Sequence, residues 1–157
     1  MRSEPAAASA HSCYDRPLLD PASGLCGIRV FVAEDEPMLL LALEDVLADF
    51  GCTLAGSATR VSEAMAFVMD QTFDAAVLDA SLTDGKIDPV VDLLAKRGIP
   101  FIVASGMSTS ELVNRFGNAV TLLKPYKDAD LRRALLRVLA EATGPGIDAG
   151  AQPCAQK

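Results

Sequence analysis

The sequence predicts an α/β fold in which a doubly wound, five-stranded parallel sheet carries helices on both faces. Three observations predict it. Short apolar runs alternate with amphipathic stretches along the chain, as in successive βα units. The runs are continuously apolar, which is typical of parallel strands that are buried on both faces. Because the crossovers between parallel strands are right-handed, few topologies remain, and the strand order 2-1-3-4-5 is the natural one.

A helical pattern follows each of the five apolar runs. The strands are predicted at Ile28–Ala33, Thr53–Ala58, Ala75–Leu78, Pro100–Ala104 and Ala119–Leu123. The helices are predicted at Pro37–Phe50, Val61–Asp70, Pro89–Arg97, Ser110–Phe116 and Ala129–Ala142. Pro37 suits the first turn of a helix, and Gly51 and Gly98 are typical of the position that follows a helix.

The folded unit is predicted to run over residues 28–143, between two segments without periodicity. Residues 1–27 are rich in Ala, Ser and Pro and predict a flexible N-terminal arm, and residues 144–157 predict a disordered C-terminal tail. That tail is too short to fold as a DNA-binding or catalytic domain. The sequence therefore predicts a single-domain protein.

The composition excludes several classes of function. Of the 157 residues 50% are hydrophobic, which is enough for one core, and the net charge is −7 without a basic block. Nucleic acids are therefore disfavoured as partners, because their recognition normally needs a basic face. No apolar run approaches the roughly 20 residues of a membrane span, and the N-terminus lacks the apolar region of a secretory signal. We expect a cytoplasmic protein with no membrane partner.

The cysteines do not form a metal-binding pattern. Cys13, Cys26, Cys52 and Cys154 include no C-x-x-C pair, and His11 is the only histidine. A zinc site needs a cluster of such ligands. We interpret the four cysteines as free thiols in a reducing compartment.

Acidic residues follow the two strands that flank the expected switch point. In a sheet of this order, sites lie at the carboxyl ends of the strands, where the strand order reverses between strands 1 and 3. Glu34, Asp35 and Glu36 follow the first strand, and Asp79 follows the third. Carboxylates that converge so closely repel one another unless a cation neutralises them. Magnesium, calcium and manganese prefer such oxygen ligands, and magnesium suits an open site that also binds a phosphate oxygen.

Two further polar residues end the neighbouring strands. Ser105 follows the fourth strand and Lys124 the fifth. The combined set suits phosphoryl transfer to a carboxylate, in which Asp79 attacks the phosphorus and Lys124 stabilises the charged oxygens. Each residue alone has a simpler interpretation, as a turn residue, a helix cap or a surface lysine. Their arrival at one sheet edge favours the functional interpretation.

Four segments, VFVAEDEP, AVLDASLTDG, PFIVASG and LLKPY, resemble in this order the receiver domains of two-component response regulators. The resemblance covers most of the folded unit and implies a CheY-like (βα)5 fold of the flavodoxin type. It implies Mg²⁺ as the cofactor, with Glu34 and Asp35 as its acidic pair. It also implies Asp79 as both phosphoacceptor and metal ligand, and the backbone carbonyl of Ser81 as a further ligand.

The same resemblance implies roles at the other strand ends. Ser105 would be the switch hydroxyl and Lys124 the phosphate-contacting lysine, with a cis peptide bond between Lys124 and Pro125. The stretch PFIVASGM is similar to the P-F-x-F-A-T-G-Y motif of FAT GUY receivers. Those receivers resemble stand-alone regulators, and some of them act in general stress signalling.

The chain departs from the receiver pattern at three positions. Thr121 stands where many receivers have an aromatic residue that swings inward on activation, although FAT GUY receivers also lack that residue. Ser105 replaces the commoner threonine and lacks its methyl group. Thr83 stands where a proline often follows the phosphoacceptor loop, so that φ is not fixed there. The departure at Thr121 speaks against the usual coupling of the switch hydroxyl to an aromatic residue, and Ser105 predicts a looser switch.

The predicted function is that of a single-domain response regulator in a two-component phosphorelay. It would accept a phosphoryl group on Asp79 from a sensor histidine kinase and signal through a downstream protein partner or phosphotransfer protein, as a relay or phosphate sink in general stress signalling. It would be a monomer or weak homodimer and not a metabolic enzyme. One alternative is an interaction module that works without phosphorylation. A flavodoxin-like enzyme is disfavoured because no phosphate-binding Gly-rich loop follows the first strand.

The first predicted helix contains more apolar residues than a core stripe needs. One interpretation is tight packing between the sheet and the last helix. The other is a docking face for the helical bundle of a histidine kinase, where related receivers bind. The apolar residues are Met38, Leu39, Leu40, Leu41, Leu43, Val46, Leu47 and Phe50.

Overall fold

The computed structural model describes residues 24–117 and 119–143. Over these residues, five parallel strands alternate with five helices. The strands are β1 Arg29–Ala33, β2 Thr53–Ala58, β3 Ala75–Asp79, β4 Phe101–Ser105 and β5 Val120–Leu123. The helices are α1 Pro37–Asp49, α2 Val61–Asp70, α3 Asp88–Arg97, α4 Thr109–Phe116 and α5 Asp128–Thr143. Every predicted strand and helix is confirmed, with its bounds within one residue.

The sheet has the order β2-β1-β3-β4-β5, and all its neighbours are parallel, which confirms the predicted order 2-1-3-4-5. The register aligns the carboxyl ends of the strands. Ala33 of β1 lies opposite Leu78 of β3, and Asp79 lies opposite Ala104 of β4. The residues that follow β1 and β3 therefore leave the sheet side by side.

The two faces of the sheet build separate cores because successive side chains of a strand point to opposite faces. Val30 and Val32 of β1 pack on the face covered by α1 and α5. Phe31 and Ala33 pack on the face covered by α2 and α3. A small third cluster beneath α4 contains the buried residues Ala80, Val103 and Leu112.

A three-ring aromatic cluster fills the core under α2. The rings of Phe31 and Phe67 stack with their centroids 4.5 Å apart, and Phe73 lies 5.6 Å from both. Gly56 of β2 makes room for this cluster, since a Cβ atom there would lie less than 3.0 Å from the Phe67 ring. The pairing of β1 with β2 is irregular next to it, between Val30 and Phe31.

Replacing Gly56 by alanine is expected to lower the free energy of unfolding by about 1–3 kcal/mol, the usual cost of overpacking a core. The clash is with the Phe67 ring, which packs against Phe31 and Phe73, so relieving it disturbs those two contacts. Urea unfolding measures the effect. Gly106→Ala is the matched control, because a Cβ atom there meets nothing within 4 Å. Equal losses in both variants would contradict the steric explanation.

The chain before β1 is packed where the structure describes it. Leu25 is buried in the core, and Gly27 N–H donates to Gly51 O at 2.8 Å. The boundary predicted at Gly27 therefore falls within a packed turn. The rest of the predicted arm and all of the predicted tail lie outside the described residues. None of the described helices is both long and apolar enough to cross a membrane.

The interpretation of all four cysteines as free thiols is wrong for Cys26, which is disulfide-bonded. Sequence spacing does not tell which cysteines the fold brings within bonding distance. Cys52 is a free and buried thiol whose Sγ donates to Leu25 O at 3.5 Å. Burial, followed by the charge of Asp74, raises the pKa of Cys52 to about 12, so this thiol stays protonated.

Candidate functional site

Three carboxylates converge at the carboxyl ends of β1 and β3. Glu34 and Asp35 follow β1, and Asp79 is the last residue of the adjacent β3. One oxygen atom from each of the three side chains lies within 4.8 Å of the other two. Glu34 is only 3% exposed, whereas Asp35 and Asp79 are half-buried. The acidic cluster that topology predicted is therefore present, and it opens to solvent on one side.

Lys124 reaches this cluster from the end of β5. Its Nζ lies 3.0 Å from Asp79 Oδ2 and 3.1 Å from Glu34 Oε2. Its backbone N–H donates to Ser105 O at 2.8 Å, which fixes the side chain at the same edge of the sheet. The peptide bond to Pro125 is cis, as expected. The structure thus brings together a predicted lysine and two predicted acids from three different strand ends.

The electrostatics of the site are set by burial and by these contacts. Burial raises the pKa of Glu34, and the negative charge of Asp79 adds to this, against the opposing effects of Glu36 N–H and Lys124. Burial alone would lower the pKa of Lys124, but the hydrogen bond and charge of Asp79, with the charge of Glu34, raise it overall. Lys124 therefore stays an ammonium ion at neutral pH.

The backbone after β3 and β4 supplies further hydrogen bonds. Ser81 N–H donates to Asp79 Oδ1 at 3.3 Å, so each carboxylate oxygen of Asp79 has a donor. Ser105 is 7% exposed, and its Oγ accepts the Met107 N–H at 3.0 Å, which leaves its own hydroxyl hydrogen free to donate. Ser81 contacts the site through its backbone N–H. The role of its carbonyl oxygen as a metal ligand stays a prediction.

A short antiparallel hairpin after β3, in which Ser81–Leu82 pairs with Gly85–Lys86, was not predicted from the sequence. Thr83 at its tip donates through Oγ1 to Asp35 Oδ2 at 3.4 Å. Asp84 accepts the N–H groups of Val61 and Ser62 at 2.5 and 3.3 Å, which anchors the hairpin on the N-terminus of α2. These N–H bonds, Val61 first, lower the pKa of Asp84. No local sequence signal links residues so far apart.

The donor set fits a magnesium ion. Glu34, Asp35 and Asp79 offer carboxylate oxygens, the hard ligands that magnesium prefers. Within the part of the chain that the structure describes, Lys124 is the one ammonium group paired with this cluster, through Glu34 and Asp79, so a divalent cation would offset the remaining negative charge. The partly exposed side chains of Asp35 and Asp79 leave room for water or a phosphate oxygen in the coordination shell.

The fold is that of a known family. The chain is 37% identical to SdrG from Sphingomonas melonis Fr1, with a TM-score of 0.63 and a match that covers 74% of this chain and 98% of SdrG. Receiver domains of response regulators recur among the other matching structures. The chain belongs to the response regulator receiver domains. No family profile matches it.

Two other relatives of this receiver are informative. The transcriptional regulatory protein PdtaR from Mycobacterium tuberculosis is 30% identical over 112 residues, which are 68% of this chain and 54% of PdtaR. The receiver therefore spans about half the length of the curated relatives that it matches. The receiver domain of the sensor histidine kinase PA1611 from Pseudomonas aeruginosa PAO1 has the same fold, with 21% identity, a TM-score of 0.65 and coverage of 73% of this chain and 99% of that one. That structure holds a magnesium ion coordinated in its active-site cleft.

Proposed function

We propose that this receiver accepts a phosphoryl group on Asp79 from a sensor histidine kinase. Its membership of the response regulator receivers gives the general role, a signalling domain of a two-component system. The observation that carries the proposal is the contact of Asp79 Oδ2 with Lys124 Nζ at 3.0 Å inside a cluster of three carboxylates. A carboxylate in this setting is held in place and has a cation beside the oxygens that a phosphoryl group would bring.

The transfer follows from the positions of the side chains. An Asp79 oxygen attacks the phosphorus, the bond between phosphorus and the donor histidine nitrogen breaks, and that nitrogen keeps the electron pair. Lys124 stays beside the transferred group and pairs with a phosphoryl oxygen. Ser105 donates its free hydroxyl hydrogen to a second phosphoryl oxygen. Water later hydrolyses the acyl phosphate, which releases phosphate and restores the free Asp79 carboxylate. The cycle converts no metabolite.

The proposed cofactor is Mg²⁺, held by Glu34, Asp35 and Asp79 together with the carbonyl oxygen of Ser81. When bound, the ion neutralises the acids and the charge on the phosphoryl oxygens. Two observations support this assignment: the donor set itself, and the magnesium ion in the cleft of the similar Pseudomonas receiver.

The proposed kinase contact is the exposed side of α1. Leu43 and Leu47 form the core stripe of this helix, whereas Met38, Leu39 and Leu41 are 70%, 44% and 57% exposed. A groove of about 430 Å³ runs between this helix and the start of α5, and Glu34 and Lys124 line one part of it. A kinase helix that brings its phosphohistidine to Asp79 can pack on these apolar residues. This supports the docking interpretation of α1 over core packing alone.

The downstream role is proposed from the PFIVASGM segment. Its similarity to FAT GUY receivers supports a regulator of general stress signalling in the cytoplasm that acts as a relay or phosphate sink. It would act as a monomer or weak homodimer through contacts with a downstream protein or phosphotransfer protein, and not through nucleic acid. Met107 and Ser81 flank the site, two residues beyond Ser105 and Asp79, and would tune the lifetime of the phosphoryl group.

Phosphotransfer from a panel of purified sensor histidine kinases tests this proposal. We expect label to pass from one prephosphorylated kinase to the receiver with Mg²⁺ present, and to stay on the kinase when EDTA removes the ion. The reason is that uncompensated carboxylates repel an incoming phosphoryl group. Label that passes equally well in EDTA would contradict the magnesium site.

The rival interpretation is an interaction module that works without phosphorylation. Beryllofluoride, a mimic of the phosphoryl group, separates it from the proposal. If the receiver is a phosphoacceptor, Mg²⁺ and beryllofluoride should shift the amide NMR signals around Asp79, Ser105 and Lys124. An unchanged spectrum, with no kinase transferring label, would favour the interaction module.

A further inference from the structure

One arginine of α4 contacts the segments that follow β3 and β4, through one backbone oxygen and two side chains. Arg115 Nε donates to the two carboxylate oxygens of Asp88, each at 3.1 Å, and one terminal nitrogen also pairs with Asp88. That nitrogen lies 3.4 Å from Ala80 O, and the other lies 3.7 Å from Met107 Sδ. The guanidinium therefore bridges α4, the first turn of α3, the residue after Asp79 and the loop after β4.

We propose that Arg115 is a positioning residue whose guanidinium latches α4 to the phosphoacceptor site, and that phosphorylation of Asp79 reaches α4 through release of this latch. The inference rests on the proposed function, because it assigns a route of transmission to the same site. We use "latch" below for the contacts of Arg115 with Asp88, Ala80 and Met107.

Besides the latch, α4 is held by the Ser108 cap, by Leu112 and by the partly buried Phe116. α4 has only eight residues, and an isolated helix of that length is not stable in water. Leu112 is its one buried residue among those described, within a cluster of only three buried side chains, and Val113 is 51% exposed. The Arg115 side chain is 19% exposed, so its ion pair is partly shielded from solvent. Losing the latch should therefore free α4 before it affects the rest of the fold.

Both ends of the latch touch residues that phosphorylation would move. Ala80 directly follows Asp79, and its carbonyl accepts from both Arg115 and Ile87 N–H. Met107 donates its N–H to Ser105 Oγ at 3.0 Å. A Ser105 hydroxyl that moves to a phosphoryl oxygen on Asp79 draws the Met107 amide with it and separates Met107 Sδ from the guanidinium.

This route also accounts for signal transmission without an aromatic residue at position 121. Thr121 carries no ring that could follow Ser105 inward, so the usual aromatic reporter is missing from β5. The latch lies on the other side of Ser105, on the α4 side of β4, and needs no aromatic residue. An ion pair that only stabilises α4 would have the same geometry, so the test must separate transmission from stability.

Hydrogen exchange and amide spectra of the full chain provide that test, with the variants Arg115→Gln and Asp88→Asn. Without any phosphoryl mimic, the α4 amides of both variants should exchange at least about tenfold faster than in the wild type. In amide NMR spectra, the α4 peaks of both variants should also lie on the line that joins the wild-type peak positions without and with beryllofluoride. The reason is that the released state becomes more populated. Arg115→Lys should behave like Arg115→Gln, since an ammonium group cannot span Asp88 and Ala80 together.

Arg133→Gln is the matched control. Arg133 forms an exposed ion pair with Asp130 on α5, so its loss should leave the α4 signals unchanged. Unchanged α4 exchange in Arg115→Gln and Asp88→Asn would overturn the latch. A uniform rise in hydrogen exchange over all helices would also overturn it, and so would α4 peaks that lie off the line joining the two wild-type positions. Either result would mark Arg115 as a residue that only stabilises the fold. Failure of the proposed function is seen separately, in a wild-type protein that does not respond to beryllofluoride, and it would overturn the transmission role as well.

Discussion

Replacing Asp79 by asparagine is expected to reduce phosphoryl labelling to less than about a thousandth of the wild-type rate. In the proposed transfer the attacking group is a carboxylate oxygen, and an amide of the same size is a far weaker nucleophile. The fold should survive the change because Asp79 is half-buried at a strand end. Lys124 keeps its contact with Glu34 at 3.1 Å in the variant, so its charge remains compensated.

The labelling experiment has a matched control in the same chain. Asp92→Asn makes the same chemical change on an exposed position of α3 and should leave labelling unchanged. Circular dichroism and hydrogen exchange verify that the Asp79→Asn variant is folded. Equal labelling of Asp79→Asn and wild type would remove Asp79 from the mechanism and direct attention to Asp35 or Glu34.

Replacing Phe31 by alanine is expected to lower the free energy of unfolding by about 3–5 kcal/mol. Phe31 is 0% exposed and lies in β1, between two other strands of the sheet. Its ring stacks on Phe67 at 4.5 Å and also contacts Phe73, so the variant leaves a cavity and loses two aromatic contacts. A typical domain is stable by only about 5–15 kcal/mol, so the loss is a large share of the total.

Urea unfolding of a short series measures this loss. Phe31→Leu keeps most of the buried volume and should lose less than Phe31→Ala. Leu41→Ala removes an apolar side chain that is 57% exposed and should change stability by no more than about 0.5 kcal/mol. If Phe31→Ala lost no more than Leu41→Ala, the aromatic cluster would not be what stabilises the core under α2.

The sequence was a sufficient guide to the sheet and to the acidic part of the site. The continuous apolar runs that became β1 and β3 could only be buried by helices on both sides, and this requirement determined the fold. Because all carboxyl ends of a parallel sheet lie at one edge, Glu34 and Asp79 had to converge although 45 positions separate them. The same rule predicted that Lys124 would lie at this edge of the sheet, and its contacts with Glu34 and Asp79 agree with that prediction.

The contacts that the sequence did not reveal join elements that no periodicity connects. The strands of the Ser81–Lys86 hairpin have two residues each, too few for a pattern. Asp84 binds the start of α2, and Arg115 binds Asp88 across 27 positions, in each case because the fold brings two helix ends or loops together. The disulfide of Cys26 likewise depends on spatial proximity alone. Such contacts depend on tertiary packing, which the local sequence does not encode.

Site mapping by mass spectrometry tests most directly the proposal that Asp79 is the phosphoacceptor. The full chain is incubated with Mg²⁺ and acetyl phosphate, a small phosphodonor that needs no kinase, and the acyl phosphate is trapped chemically before fragmentation. The account predicts the mass of a single phosphoryl group, located on Asp79 and absent when EDTA replaces Mg²⁺. A phosphoryl group on any other residue, or an unmodified chain under conditions in which a known receiver is labelled, would contradict it.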